Sequence, residues 1–116
     1  MLIAYLCVTA VTALANAWEA VANFTRARFV LANAAEVGVP HFWLPVLGVL
    51  KGAGAVGLVL GLLGFRSIGI AAATGLVLFM ICAIALHVRA RVLRNIAFPG
   101  AFLGLAGAAL VLAVAQ

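Results

Sequence analysis

Along the chain, apolar positions gather into four long runs, residues 2–24, 43–65, 67–88 and 96–115, and the short segments between them hold most of the charge. Each run has the ~20 residues that a helix needs to cross a ~30 Å hydrocarbon core. None alternates apolar and polar positions with a period of two, and Ala, Leu and Gly dominate, which argues against membrane-spanning strands. An α-helix satisfies every backbone N–H and C=O within its own segment, as lipid requires. The pattern therefore predicts an all-α polytopic membrane protein: a compact four-transmembrane-helix bundle forming one domain over residues 1–116. No second domain, disordered tail or convincing internal repeat is expected.

The connection between the first two spans, TRARFVLANAAEVGVPHF, is the longest. Its middle, residues 26–36, mixes basic and apolar positions, and either continues the first helix or lies along the membrane interface. Val39-Pro40 should end it, because the residue before a proline is pushed out of the helical region. Pro45 falls in the first turn of the second span, where a missing N–H costs little. Arg66 marks a tight turn between the second and third spans. RARVLRN joins the third to the fourth, and Pro99 sits near the start of the fourth. Near the N-terminus ALANA offers an A-x-A site after an apolar run, yet no basic segment precedes it, so residues 2–24 read as a retained helix.

The most specific polar pattern lies in the first span. Tyr5, Thr9, Thr12, Asn16, Glu19, Asn23 and Arg26 follow one another at spacings of 4, 3, 4, 3, 4 and 3, which puts all seven on one helix face. In lipid such a face points toward other helices or a water-filled pocket. Glu19 lies about 7 Å in from the C-terminal end of its span, at 1.5 Å per residue. Lys51, the single charge within the apolar middle of the second span, lies about 12 Å in from the same side, because the second span runs the other way. His87 closes the third span at that same boundary. Lys51 thus has a candidate partner in Glu19. Two readings of the pair stand side by side: it joins two helices, as intramembrane charges do, or it serves a site. His87 likewise reads either as an interfacial residue beside Arg89 and Arg91 or as part of that site.

Glycine supplies a second pattern. Gly48 and Gly52, Gly57 and Gly61, and Gly100 and Gly104 are small-xxx-small pairs that let helices approach closely, inside one bundle or between copies in a homo-oligomer.

Composition narrows the class further. The chain is 69% hydrophobic and 8% charged, with seven basic and two acidic side chains, too few for the water-facing surface of a soluble domain. A net charge of +5 and a pI near 10.8 would suggest nucleic acid in a soluble chain. Here the basic residues flank apolar spans, so they orient the protein and meet anionic headgroups; no nucleic-acid partner is expected. Arg26, Arg28, Arg89, Arg91 and Arg94 fall on one side and only Arg66 on the other. The positive-inside rule makes the first side cytoplasmic and both termini external. Cys7 and Cys82 form no CxxC pair, fall near opposite ends of their helices, and read as two small buried hydrophobes.

No H-E-x-x-H, CxxC or phosphate-binding glycine loop occurs. With two histidines, one in the first connection and one at the end of the third span, a bis-histidine haem or metal site is poorly supported. Residues 38–91, GVPHFWLPVLGVLKGAGAVGLVLGLLGFRSIGIAAATGLVLFMICAIALHVRAR, resemble the DoxX-like family of small four-helix membrane proteins. LPVLGVLKGAGAVGLVLG and the histidine of HVRAR carry the resemblance, with Asn16-Ala17-Trp18-Glu19 and the Pro99 region consistent. The resemblance implies a compact bundle in a bacterial plasma membrane. It also implies a membrane subunit of the kind found in quinone-linked sulfur oxidation and in oxidative-stress assemblies, with a redox enzyme as partner.

The leading expectation is a membrane-embedded binding subunit. Asn16, Glu19, Asn23, Lys51 and His87 would hold the polar end of a quinone or another lipophile, with Gly and Ala leaving room for its apolar part. A rival reading is a proton-coupled exporter similar to the small multidrug resistance transporters, with Glu19 exchanging protons and a cation. Against it, Lys51 would neutralise that site, and the third span lacks the aromatic groups expected around a cation. A third reading, a membrane isomerase or hydrolase, would use Glu19 as a base favoured by its lysine neighbour. A purely structural scaffold is the fourth. No catalytic or cofactor motif decides for an enzyme.

Overall fold

The computed structural model describes residues 2–91 and 96–116. Its helices, numbered in chain order, are α1 (Leu2–Phe24), α2 (Arg28–Val37), α3 (Leu44–Leu62), α4 (Arg66–Arg89) and α5 (Ala97–Val114), with a single 3₁₀ turn at His41–Trp43 leading into α3. Among the described residues there is no strand. Four helices, α1, α3 with its leading turn, α4 and α5, are long and apolar enough to cross a membrane. The all-α four-span bundle is as the hydropathy pattern predicts. Arg94 and the rest of residues 92–95 lie outside the described residues.

The turns explain where the spans stop. Thr25 turns its hydroxyl back onto the carbonyls of Val21 and Ala22, satisfying acceptors that the end of α1 leaves open. Arg26 then adopts a left-handed backbone (φ 54°) and is exposed. The expected seven-residue seam is therefore six residues long, ending at Asn23, because the helix itself ends before Arg26. The first connection does not prolong α1; it folds into α2, a separate ten-residue helix. Gly38 (φ 77°) closes α2, with the Gly38 and Val39 N–H groups donating to the carbonyls of Ala35 and Ala34. Pro45 occupies the first turn of α3. At the other end of α3 the chain reverses through Gly64 (φ 113°), so α3 stops at Leu62 and not at 65. Arg66 is the first residue of α4. Its guanidinium donates to the Ala113 and Val114 carbonyls, at 3.3 and 2.8 Å, and so caps the end of α5.

Successive spans pack side by side in a ring, α1 on α3, α3 on α4, α4 on α5, with α5 closing onto α1. Short reversals force this antiparallel order. The ring has an end bearing Arg26, Arg28, Arg89 and Arg91, called the arginine end below, and a far end bearing Arg66. At its centre Ala13, Leu58, Ala73, Leu76 and Ala106 form the core, and a second cluster of Ala22, Val30, Ala34 and Leu44 fastens α2 to the arginine end. Small residues bring α3 and α4 into close contact. A Cβ on Gly61 would stand 2.7 Å from the Gly69 Cα, and one on Gly57 would stand 2.6 Å from the Ala72 Cβ. The third glycine pair behaves differently: Gly100 and Gly104 on α5 face open space.

The outside of the ring is studded with exposed Leu, Ile, Val and Phe side chains, the surface of a protein solvated by lipid. Cys7 and Cys82 belong to that surface and not to the core expected for them. A thiol on a lipid-facing helix side is already out of water, so helix packing is not needed to bury it.

Candidate functional site

The buried face of α1 is polar. Tyr5, Thr9, Thr12, Asn16, Glu19 and Asn23 are all buried against the other helices. A polar stripe turned to the interior of an apolar bundle is costly unless its atoms find partners. The partners differ from residue to residue. Thr12 donates to the carbonyl of Val8 at 2.7 Å. Asn16 donates through Nδ2 to the Thr12 carbonyl at 2.9 Å, while its Oδ1 and the Thr9 hydroxyl have no partner among the described residues. Asn23 Nδ2 donates across to the Leu44 carbonyl at 3.3 Å, pinning α1 to the start of α3.

Glu19 meets Lys51. The Lys51 Nζ stands 3.5 Å from Glu19 Oε1, and both side chains are about nine-tenths buried. The depth count along two antiparallel spans is thereby confirmed as a contact. Lys51 also lies 5.3 Å from the centroid of the Phe79 ring on α4, within cation–π range. So the third span does offer an aromatic face to a cation, contrary to expectation, and the cation is the chain's own lysine. Phe79 falls within a long apolar run whose periodicity gives no hint of which ring turns toward α3.

His87, in the last turn of α4, is covered by α2. It is 3% exposed, with Nδ1 donating to the Ala83 carbonyl at 2.7 Å and Nε2 lying 3.0 Å from the Asn33 side-chain amide of α2. A carbonyl can only accept, so Nδ1 carries a proton, while Nε2 pairs with the Asn33 side-chain amide. Asn33 was not singled out by the sequence reading. Its signal was present, however: Val30 and Ala34 are the buried positions of α2, and Asn33 lies between them on the same side.

These groups surround a cavity of about 1170 Å³ that reaches every helix of the bundle. Glu19, Asn23, Lys51 and His87 line it, joined by Asn33 and Glu36 from α2. Asn16 does not; it sits one turn nearer the far end, packed between helices. Four of the five expected site residues thus share one chamber and the fifth lies behind it. Most of the remaining wall is apolar, including Trp18, Phe29, Phe98 and Phe102. Those rings form a continuous ladder, with Trp18 stacked on Phe29 at 5.3 Å, Phe29 6.5 Å from Phe98, and Phe98 stacked on Phe102 at 5.2 Å. Among the described residues no three His, Cys, Asp or Glu side chains gather as metal ligands would.

The chemistry available is that of a hydrogen-bonding head pocket with apolar walls. The Glu19–Lys51 pair carries no net charge, and an ammonium has three N–H donors, more than one carboxylate oxygen uses. Low dielectric strengthens every such bond to a guest group.

Fold and site together define a small multi-pass membrane protein with a polar chamber inside an apolar four-span bundle. The chain belongs to the DoxX-like family, whose model matches residues 7–112. No curated protein and no solved structure matches it.

Proposed function

We propose that this protein is a membrane-embedded binding subunit that holds the polar end of a lipophilic small molecule against Lys51. One observation carries the reading: a chamber of about 1170 Å³ has mostly apolar walls and a buried ion pair, Glu19–Lys51, facing it. Pockets for drug-sized ligands are ~300–1,000 Å³, apolar, and furnished with few polar groups, which is the pattern here. A quinone, through a ring carbonyl, is one guest of the right chemistry. The exporter reading is weaker, since a lysine 3.5 Å from Glu19 already occupies the place of a cationic substrate. The arginine end is assigned to the cytoplasm of a bacterial plasma membrane, with both termini outside. A redox enzyme docked at the membrane surface would be the natural recipient of the guest.

The test is native mass spectrometry of the protein released from nanodiscs, with a short-chain ubiquinone analogue as probe. Wild type is expected to retain one small molecule per bundle, and Lys51→Met to lose it. Equal retention by a correctly folded Lys51→Met variant overturns the assignment.

A further inference from the structure

The chamber is not sealed from the bilayer. Its lining includes Leu50 and Ala53 of α3 and Ile68, Ala71, Gly75 and Leu78 of α4, and all six are exposed on the lipid side of the bundle. The four α4 positions follow at spacings of 3, 4 and 3, so they form one continuous helix face. None of the six is polar. The floor is shallow because its residues are small: a Cβ on Gly75 would meet nothing within 4 Å. By contrast the polar lining groups, Lys51 among them, belong to the arginine-end half. A groove that is apolar along its length and polar at one end matches an amphiphile, not a compact solute.

From these observations, and resting on the binding reading above, we propose that the guest is a single-chain amphiphile. It enters sideways from the bilayer on the arginine-end side of the Gly57–Ala72 contact, sets an oxygen-acceptor head at Lys51, and lays its hydrocarbon chain along the outer surface of the α3–α4 seam toward the far end. The dimensions agree. Phe79, beneath the Lys51 ammonium, is eleven residues from Ile68, or about 16 Å along α4 at 1.5 Å per residue. That is half of a ~30 Å hydrocarbon core, the reach of an acyl or isoprenoid chain within one leaflet. The head is an acceptor because the group that meets it is a donor: Lys51 keeps N–H capacity beyond its bond to Glu19. A helix from a second copy fits less well, since its hydrogen-bonded backbone could not bring a free acceptor to the buried Lys51 ammonium.

Full-length protein in nanodiscs is photolysed with a sixteen-carbon fatty acid carrying a mid-chain diazirine, or with its methyl ester, and labelled residues are mapped by mass spectrometry. Labelling is expected to saturate and to fall on Ala53 and residues 71–78, with acid or ester preferred according to the charge of the natural head. Gly75→Trp, which fills open space, should cut long-chain labelling at least tenfold, and by far more than it lowers retention of the short-chain ubiquinone analogue. Ala53→Phe, on the opposite wall, should act alike, and Lys51→Met should abolish both signals. Labelling spread evenly around the bundle, or unmoved by both groove variants in folded protein, overturns the groove while short-chain retention keeps the head pocket. Protection of the groove by a second copy in a native dimer also overturns it. Short-chain retention indifferent to Lys51→Met removes the binding reading, and the groove proposal with it.

Discussion

A carboxylate and an ammonium 3.5 Å apart inside a bundle are held together as much by the cost of separating them as by their attraction. Removing one partner leaves a buried charge with no counter-ion, so Lys51→Met and Glu19→Gln should each destabilise the bundle, by about 3–5 kcal/mol for the first, where a full carboxylate is stranded. The double variant should recover most of that loss. Denaturant unfolding of the four proteins in one detergent reads out the cycle, and strictly additive losses would show the pair to be uncoupled. Ten residues earlier in α1, about 15 Å nearer the far end at 1.5 Å per residue, the situation inverts. The Thr9 hydroxyl is buried with no partner among the described residues, and Thr9→Val removes an unsatisfied polar atom at nearly constant shape. That substitution should raise stability by about 1 kcal/mol in the same assay, and a loss of that size would point to a partner the hydroxyl serves. The Glu19–Lys51 contact was legible from sequence because it depends only on depth, which residue counting gives. Phe79 was not, because which ring of an apolar run turns inward depends on helix rotation, and Asn16 was misplaced because it shares the buried face of α1 with Glu19 but lies one turn beyond the chamber.

At the level of helices, the glycines divide by what stands opposite them. Gly61 faces the backbone of Gly69, which cannot yield as a flexible side chain would. Gly61→Ala should therefore force α3 and α4 apart and cost about 1–3 kcal/mol. Gly104→Ala meets open space and should be neutral or stabilise α5 by up to about 1 kcal/mol through helix propensity. Thermal unfolding of the two variants side by side separates these outcomes, and equal effects would mean that the α3–α4 approach is not held by glycine. The repeat of small residues was visible in the sequence; which pair makes the contact was not, since spacing alone is the same for both. The helix α2 shows a different limit. Its mixed pattern was readable as helical and interfacial, but its attachment to the bundle through Asn33 and His87 joins residues 54 apart. Asn33→Ala removes that attachment. Hydrogen–deuterium exchange across residues 28–37 should then speed up at least tenfold while α3 and α4 stay protected, and unchanged protection of α2 would assign its docking to Val30 and Ala34 alone.

For the molecule as a whole, four spans of bilayer length joined by short reversals leave little choice but an antiparallel ring. That is why the fold was legible where the chamber was not: cavity shape follows from side-chain volumes at helix crossings, which hydropathy averages away. Orientation is the remaining global property, and here charge has already been partly used. Arg66, the one basic residue at the far end, binds the carbonyls that finish α5, so its position answers to a helix cap as well as to topology. Arg26, Arg28, Arg89 and Arg91 are all exposed at the other end, free to meet anionic headgroups, and the charge asymmetry that decides insertion is carried by them. The arginine end should therefore face the cytoplasm. Because Cys7 and Cys82 are exposed, both must first be replaced by serine. In intact cells a membrane-impermeant maleimide should then label Gln116→Cys and leave Ala35→Cys unlabelled until the membrane is opened. The reverse pattern would invert the topology, and equal labelling of both sites would mean that the protein inserts in two orientations. Only a single orientation gives the chamber one fixed relation to the two leaflets. With the arginine end inside, the groove between α3 and α4 runs from a polar head site in the cytoplasmic half toward the opposite leaflet, so its guest would deliver its head group on the cytoplasmic side.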